Sequence, residues 1–250
     1  MSVSVARADA LAVAAGEHGL DLLLVSDPAN LRWLTGFTGS NGVALVGPDG
    51  TRRFITDFRY VAQGEQQLDP FWDRRLAAQD LLGAGLAEQL PAADGDRTLG
   101  FDAAHVSVKA AGMLSTTLPQ GTTGVPAAGL VEPLREIKDA DEVTRIRAAA
   151  VLADAALEAI LARGVAGRTE VAVALDLEFE LRRAGAQAVS FSPIVAHGAH
   201  GALPHAVPRE VPIATGTLLT IDWGAQLDGY CSDCTRTFAE IGRASCRERV

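Results

Sequence analysis

The hydrophobic positions in the first half of the chain alternate between short apolar runs and longer segments with helical spacing. Asp21–Ser26 and Thr98–Asp102 are short apolar runs that are typical of buried strands. Gly42–Asp57 contains two apolar runs around a Pro-Asp-Gly turn, which is the pattern of a β-hairpin. The predicted helices are an N-terminal amphipathic helix, Asn30–Gly36, Tyr60–Leu68, Ala77–Leu90 and His105–Thr116. Strands that alternate with helices predict an α/β domain that ends near Val131.

The pattern of elements begins again after a charged, proline-containing connector at Glu132–Lys138. Acidic residues in the first turn and a glycine after the last predict a long helix from Asp139 to Gly164. The elements predicted after it are a helix from Thr169 and Glu170 to Gly185, a strand at Ser190–Val195 and a hairpin at Thr217–Phe238. We therefore expect a first domain at residues 1–131, a second at 132–240 and a separate segment at 241–250.

Composition and charge exclude several classes of protein. The 250 residues are 48% hydrophobic, which is typical of a globular chain, and the net charge of -9 argues against nucleic acid binding as the main function. No apolar run approaches the roughly 18 to 20 residues that span a bilayer. The first residues form an amphipathic pattern with an acid at Asp9, unlike a secretory signal. Three cysteines are too few for a disulfide framework, so we expect a cytoplasmic protein without a membrane partner.

Two aspartates on the last predicted hairpin, Asp222 and Asp233, are candidate metal ligands. Asp228-Gly229 favours a two-residue turn, which sets the pairing of the flanking strands. The predicted pairs are Leu227 with Tyr230, Gly224 with Asp233, and Asp222 with Thr235. Because side chains alternate between faces, both aspartates point to one face and are diagonal neighbours. Such carboxylates repel unless they are protonated or bridged by cations, and two divalent ions about 3.5 to 4 Å apart would bridge them.

The spacing of these aspartates also fits an ordinary solvated hairpin face. Their neighbours favour the metal interpretation, because Gly224 leaves room on the carboxylate face while Trp223 and Cys234 would cover the other. A zinc site that combines Cys231 and Cys234 with upstream histidines is disfavoured, since residues three apart on an extended strand face opposite sides. A redox Cys-x-x-Cys is disfavoured as well, because such pairs normally lie at a helix N-terminus.

Three histidines, His197, His200 and His205, precede the hairpin. His205 lies in a loop that Pro204 and Pro208 restrict. An imidazole there can transfer a proton or bind a substrate oxygen near neutral pH. An ordinary loop histidine is the alternative.

The segment IVAHGAHGALPH, which ends at the loop histidine His205, and the hairpin motif Asp-x-Gly…Gly-Tyr-x-x-Asp-x-Thr-Arg-Thr resemble the pita-bread metallopeptidases. This group includes aminopeptidase P, prolidase and methionine aminopeptidase, along with the metal-free creatinase. The matching residues are Asp222, Gly224, Gly229, Tyr230, Asp233, Thr235, Arg236 and Thr237. The segments NLRWLTGFTGSNG and FITDFRYVAQGEQ are similar to the N-terminal domain of the creatinase, prolidase and aminopeptidase P branch. Methionine aminopeptidases lack that domain, so the resemblance is to Xaa-Pro peptidases.

The resemblance implies an α/β creatinase/prolidase-type N-terminal domain followed by an α+β pita-bread domain. It also implies that Asp222 binds one metal, that Asp233 bridges two, and that His205 contacts substrate and assists proton transfer. The implied reaction is hydrolysis of Xaa-Pro bonds in a proline-containing peptide, with two Mn²⁺, Co²⁺ or Zn²⁺ ions, in a homodimer. Both aspartates argue against a creatinase-like amidinohydrolase. Relatives often have Ser and Asn where this chain has His197 and His200.

Members of this group complete the metal site with one histidine and two glutamates that lie C-terminal to the hairpin. Here no histidine follows His205, and Glu248 is the only acidic residue after Glu240. We therefore expect an incomplete pita-bread domain and no peptidase activity from this chain alone. Residues 241–250 resemble a translated sequencing adapter, so Cys246 is expected not to be natural, with a divergent basic tail as the alternative. A metal-free pseudo-enzyme or binding module on the same fold is the other functional hypothesis.

Overall fold

A computed structural model describes residues 2–78, 80–90 and 95–240. The chain divides into two compact units, Met1–Ile137 and Lys138–Val250. This division lies beyond the predicted boundary after Val131, because a short helix at Glu132–Glu136 belongs to the first unit. The predicted non-native segment at 241–250 lies outside the described residues. No described helix is long and apolar enough to cross a membrane.

The first unit is built on a six-stranded mixed sheet with the strand order β4-β3-β2-β1-β5-β6. The strands are β1 Leu22–Val25, β2 Gly42–Val46, β3 Arg52–Thr56, β4 Asp73–Leu76, β5 Arg97–Asp102 and β6 Thr122–Ala127. The α-helices are α1 Val3–Glu17, α2 Pro28–Thr35, α3 Val61–Gln67, α4 Ala84–Ala87, α5 Val108–Thr117 and α6 Glu132–Glu136. Strand β2 pairs antiparallel with β1 and β3, whereas the β3–β4, β1–β5 and β5–β6 pairs are parallel. This arrangement confirms the predicted α/β class.

Both faces of the central strand β1 are buried, which explains its continuous apolar run. Leu23 belongs to a core cluster with Leu11 of α1 and Leu34 of α2. Leu24, on the opposite face, belongs to a second cluster with Leu114 of α5. The sheet therefore has an apolar core on each side.

The predicted helix at Ala77–Leu90 is wrong. Helix α4 covers only Ala84–Ala87, and Asp73–Leu76 just before the predicted helix forms the edge strand β4. Glycine at 83 and 85 disfavours a longer helix, and a Cβ at Gly85 would lie 2.4 Å from a backbone oxygen. The edge strand is secured by a 2.8 Å ion pair from Arg53 to Asp73, a contact between strands that local spacing does not reveal.

The described residues of the second unit form two α-helices and two three-stranded sheets. The helices are α7 Ala140–Arg163 and α8 Glu170–Arg183. The first sheet has the order β12-β9-β8, with β8 Ile194–His197, β9 Thr217–Trp223 and β12 Cys234–Glu240. The second sheet has the order β11-β10-β7, with β7 Ala188–Val189, β10 Ala225–Leu227 and β11 Tyr230–Cys231. Of the strand predicted at Ser190–Val195, only Ile194 and Val195 are in a strand, as the start of β8. Strand β7 ends before Ser190 and pairs in the other sheet. Helix α7 starts as predicted, with a capping box between Asp139 and Glu142.

The core of the second unit lies on one face of β9. Leu219, Ile221 and Trp223 are fully buried and belong to one cluster with Ile160 of α7 and Leu177 of α8. The Trp223 indole N–H donates a 2.8 Å hydrogen bond to the carbonyl of Ala153 in α7. The intervening residues of β9, which include Asp222, point to the other face of the sheet.

Candidate functional site

The hairpin register matches the prediction. Leu227 pairs with Tyr230, and Asp222 pairs with Thr235. Asp228 and Gly229 both have positive φ, 48° and 74°, as a two-residue turn of this kind requires. Gly224 and Asp233 fall at the same register between the two sheets.

The hairpin bends at Gly224, where the first sheet gives way to the second. A Cβ on Gly224 would lie 2.0 Å from the Ser232 carbonyl oxygen and 2.8 Å from the Ser190 hydroxyl. The Ser190 hydroxyl donates to that carbonyl at 2.8 Å, and the Ser232 hydroxyl accepts the Ala225 N–H at 3.0 Å. The space at Gly224 therefore admits the opposing backbone, which corrects the expectation that it leaves room for the aspartates. Asp233 lies opposite Gly224 on the second strand of the hairpin, directly after Ser232.

Asp222 and Asp233 occupy different environments. Asp222 is half-buried in the central strand β9, and its Oδ1 accepts a 2.8 Å hydrogen bond from the Thr235 hydroxyl. Asp233 is exposed and makes no hydrogen bond or ion pair with the described residues. Ionised carboxylates with oxygen atoms left over are the ligands that hard divalent cations prefer, so both residues fit a metal. Within the described part of the chain, no three histidine, cysteine, aspartate or glutamate residues group closely enough to hold one ion.

The two cysteines near Asp233 lie in different surroundings. Cys231 is exposed on β11, whereas Cys234 is half-buried and packs against the apolar core. Both are free thiols. This agrees with the prediction that residues three apart on this strand do not face one ion.

His205 lies in an exposed turn after a 3₁₀ segment at Gly198–Ala202. Its imidazole makes no hydrogen bond or ion pair with the described residues, and so none with either aspartate. The ring is accessible to a substrate or to solvent. The other two histidines, in contrast, are each only 11% exposed and contact the same carboxylate.

That carboxylate belongs to Glu170, the first residue of α8, which is fully buried. Glu170 accepts hydrogen bonds from the His197 backbone N–H at 3.0 Å and from His197 Nδ1 at 2.8 Å. His200 Nδ1 lies 3.1 Å from Glu170 Oε2. The Arg209 guanidinium donates two hydrogen bonds, of 3.1 and 3.0 Å, and its backbone N–H donates one of 2.9 Å. His197, His200 and Arg209 therefore converge on one buried acid.

The hydrogen bonds around Glu170 keep its carboxyl group ionised. Burial alone would raise its pKa, but the bonds from Arg209 and from the His197 and Arg209 backbone N–H groups outweigh burial and lower the pKa well below its usual range. An ionised carboxylate only accepts hydrogen bonds, so Nδ1 of both His197 and His200 carries a proton.

Sequence reasoning missed this role of Glu170. A glutamate after Thr169 fits the usual preference for an acid in the first turn of a helix, so local sequence does not distinguish it from an ordinary helix-start acid. The partners lie 27 to 39 residues further along the chain. The three closely spaced histidines were the only local signal of a polar cluster.

Comparisons with known proteins follow the division into two units. Residues 7–137 match the creatinase/prolidase N-terminal domain, and residues 144–249 match metallopeptidase family M24. Uncharacterized peptidase YqhT of Bacillus subtilis is 38% identical over 235 residues, covering 92% of this chain and 64% of that protein. A putative Xaa-Pro aminopeptidase of Mycoplasma pneumoniae is 29% identical over 226 residues, covering 89% of this chain and 60% of that protein. The chain thus spans less than two thirds of the length of these relatives.

Solved structures resemble the chain along nearly its whole length. An Xaa-Pro dipeptidase from Bacillus anthracis is 35% identical with a TM-score of 0.87, over 98% of this chain and 67% of that one. An X-Pro aminopeptidase from Thermotoga maritima is 29% identical with a TM-score of 0.81, over 94% of this chain and 66% of that one.

Proposed function

Because the chain belongs to metallopeptidase family M24 and carries the creatinase/prolidase N-terminal domain, we propose that the full-length gene product hydrolyses Xaa-Pro peptide bonds. The observation that carries the proposal is the hairpin register, which pairs Asp222 with Thr235 on the face of β9 opposite the core. The described part of the second unit is the helix-and-sheet portion of a pita-bread domain. Two similar proteins are named as a putative Xaa-Pro aminopeptidase and an Xaa-Pro dipeptidase, which supports a proline-containing substrate.

Each candidate residue has a distinct proposed role. Asp222, whose Oδ1 accepts the hydrogen bond from Thr235, and the exposed Asp233 would hold the divalent ions. Bound divalent ions, with Mn²⁺ as the first choice, would acidify a water molecule and polarise the scissile carbonyl. His205 is accessible and carries a group suited to proton transfer near neutral pH. We also propose that the active protein is a homodimer and that it works in the cytoplasm.

Hydrolysis of Ala-Pro and Ala-Pro-Ala by the full-length gene product with Mn²⁺ tests this function. Asp233→Asn should abolish turnover, and Asp228→Asn, which changes an exposed aspartate in the turn of the same hairpin, should preserve it. Comparison of the two substrates distinguishes dipeptidase from aminopeptidase activity. A folded, Mn²⁺-loaded protein that cleaves neither substrate would refute the proposal and favour the binding-module hypothesis.

We further propose that the 250-residue chain alone has no measurable peptidase activity. Two aspartates leave most coordination positions of two ions to water, which gives weak binding. Turnover of Ala-Pro by the 250-residue chain that Asp233→Asn removes would contradict the proposal.

A further inference from the structure

We propose that Glu170 is a positioning residue that holds both ends of the segment carrying His205, and that His197 and His200 serve this purpose. The proposal rests on the proposed function, in which His205 acts at the reacting bond. We define the histidine loop as residues 198–208, which lie between the two residues, His197 and Arg209, whose backbone N–H groups donate to Glu170. Glu170 and the residues that contact it all belong to the described part of the second unit.

Glu170 holds the start of the histidine loop through His197. The backbone N–H and the ring Nδ1 of His197 both donate to Oε1 of Glu170, at 3.0 and 2.8 Å. Since β8 ends at His197, these bonds secure the point at which the chain leaves the sheet. His200, within the loop, adds a third contact at 3.1 Å.

The same carboxylate holds the end of the loop through Arg209. The guanidinium donates from Nε to Oε2 at 3.1 Å and from Nη2 to Oε1 at 3.0 Å, which is the paired geometry that arginine makes with carboxylates. The Arg209 backbone N–H donates to Oε2 at 2.9 Å. Beyond the loop, Ile213 exchanges backbone hydrogen bonds with Gly167 and Arg168, just before α8. One acid therefore closes the loop at its base.

Only a carboxylate satisfies this set of partners. All of its neighbours are donors, so both oxygens of Glu170 must accept. A glutamine has nearly the same shape, but its amide NH₂ would face N–H groups at one of the two oxygen positions. Glu170→Gln thus removes the charge and half of the acceptors while it preserves the size of the side chain.

The three histidines consequently have different roles. His197 and His200 use Nδ1 to bind Glu170, and each ring is largely buried. His205 has no such partner among the described residues and is exposed, which leaves both of its ring nitrogens available. The geometry assigns loop anchoring to the first two histidines and chemistry to the third.

Amide hydrogen exchange and the NMR spectrum of the His205 imidazole test this inference on the 250-residue chain. Glu170→Gln should speed exchange of the histidine loop roughly tenfold and broaden or shift the His205 ring signals. Glu180→Gln is the matched control, because Glu180 is a buried glutamate of the same helix that pairs with Arg163 instead of with the loop. It should leave exchange in the loop and the His205 signals unchanged. Glu170→Asp, which retains the charge, should restore part of the protection.

Arg209→Gln provides a second route if Glu170→Gln does not fold. The Arg209 side chain is 44% exposed, so its replacement preserves the buried side of the cluster while it releases the end of the loop. Faster loop exchange in this variant supports the inference, and unchanged exchange with unchanged His205 signals overturns it. Neither measurement uses catalysis, so an inactive gene product would refute the proposed function without affecting this result.

Discussion

The Thr235 hydroxyl of β12 donates a 2.8 Å hydrogen bond to Asp222 Oδ1 on the neighbouring central strand β9, in the first sheet of the second unit. The bond orients the carboxylate, and its other oxygen accepts no hydrogen bond from the described residues. Thr235 therefore supports a candidate metal ligand without being one.

Thr235→Val should weaken Mn²⁺ binding roughly tenfold, because loss of a hydrogen bond to a ligand typically costs that much affinity. Thr237→Val is the matched control, since Thr237 lies on the same strand and contacts Thr220, at 3.2 Å, instead of an aspartate. Calorimetric titration with Mn²⁺ measures both variants. Equal losses of affinity would show that the contact to Asp222 has no special role.

Gly224→Ala should destabilise the second unit by about 1 to 3 kcal/mol, because the new methyl group would overlap the Ser232 carbonyl oxygen. The backbone must move at the bend, next to Asp233. Gly112→Ala, in the exposed interior of α5 with nothing within 4 Å, should instead stabilise the first unit by about 0.5 to 1 kcal/mol. Urea unfolding gives both values, and a neutral Gly224→Ala variant would contradict the close approach.

Trp223→Phe should cost more stability than Trp33→Phe. Both indoles are buried, but that of Trp223 donates to Ala153, whereas that of Trp33 has no acceptor among the described residues. Both substitutions reduce the size of the side chain equally, but only Trp223→Phe removes a hydrogen bond. Its loss in free energy of unfolding should therefore be larger by about 1 kcal/mol. Denaturant unfolding of each unit provides the comparison, and equal costs would disprove the assigned role of the bond.

Acid should remove the stabilisation that Glu170 provides. The Arg209 side chain and the backbone N–H groups of His197 and Arg209 outweigh burial and lower the folded-state pKa of Glu170. Its contribution to stability is therefore complete above the unfolded-state pKa of about 4.3. As the pH falls below that value toward the folded-state pKa, the unfolded chain takes up the proton first and the contribution shrinks. The difference in unfolding free energy between wild type and Glu170→Gln should accordingly decrease from pH 5 to pH 3.

Trp223 can report this measurement, because it is the only tryptophan after residue 137. With Trp33 and Trp72 replaced by phenylalanine, fluorescence follows the second unit alone. Urea titrations at several pH values then give the difference in unfolding free energy between the proteins with Glu170 and with Glu170→Gln. A constant difference across the acid range would contradict the assignment of the ionised form.

The hairpin could be predicted from sequence because its information is local. Asp228-Gly229 specifies the turn, and the turn then sets every pair up to Asp222 and Thr235. The buried strand β1 was equally clear, since a short apolar run bounded by turn residues has few other interpretations.

Features that depend on distant partners could not be predicted. Any acidic residue could stand at the start of α8. Only the folded structure, in which Arg209 donates two hydrogen bonds to the Glu170 carboxylate, shows why a glutamate is required there. The edge strand β4 depends similarly on Arg53, and its charged sequence carries no strand pattern of its own. Whether such a segment forms a strand depends on its pairing and packing with the neighbouring strand of the sheet.

The position of β1 in the six-stranded sheet has a consequence for synthesis on the ribosome. One side of β1 pairs with β2, which emerges soon after it, but the other side pairs with β5 at Arg97–Asp102. At about 5 to 20 residues per second, the nascent chain exposes an unpaired apolar edge for several seconds. Translational pausing between β3 and β5 should therefore lower the yield of folded protein, whereas pausing after β6 should not.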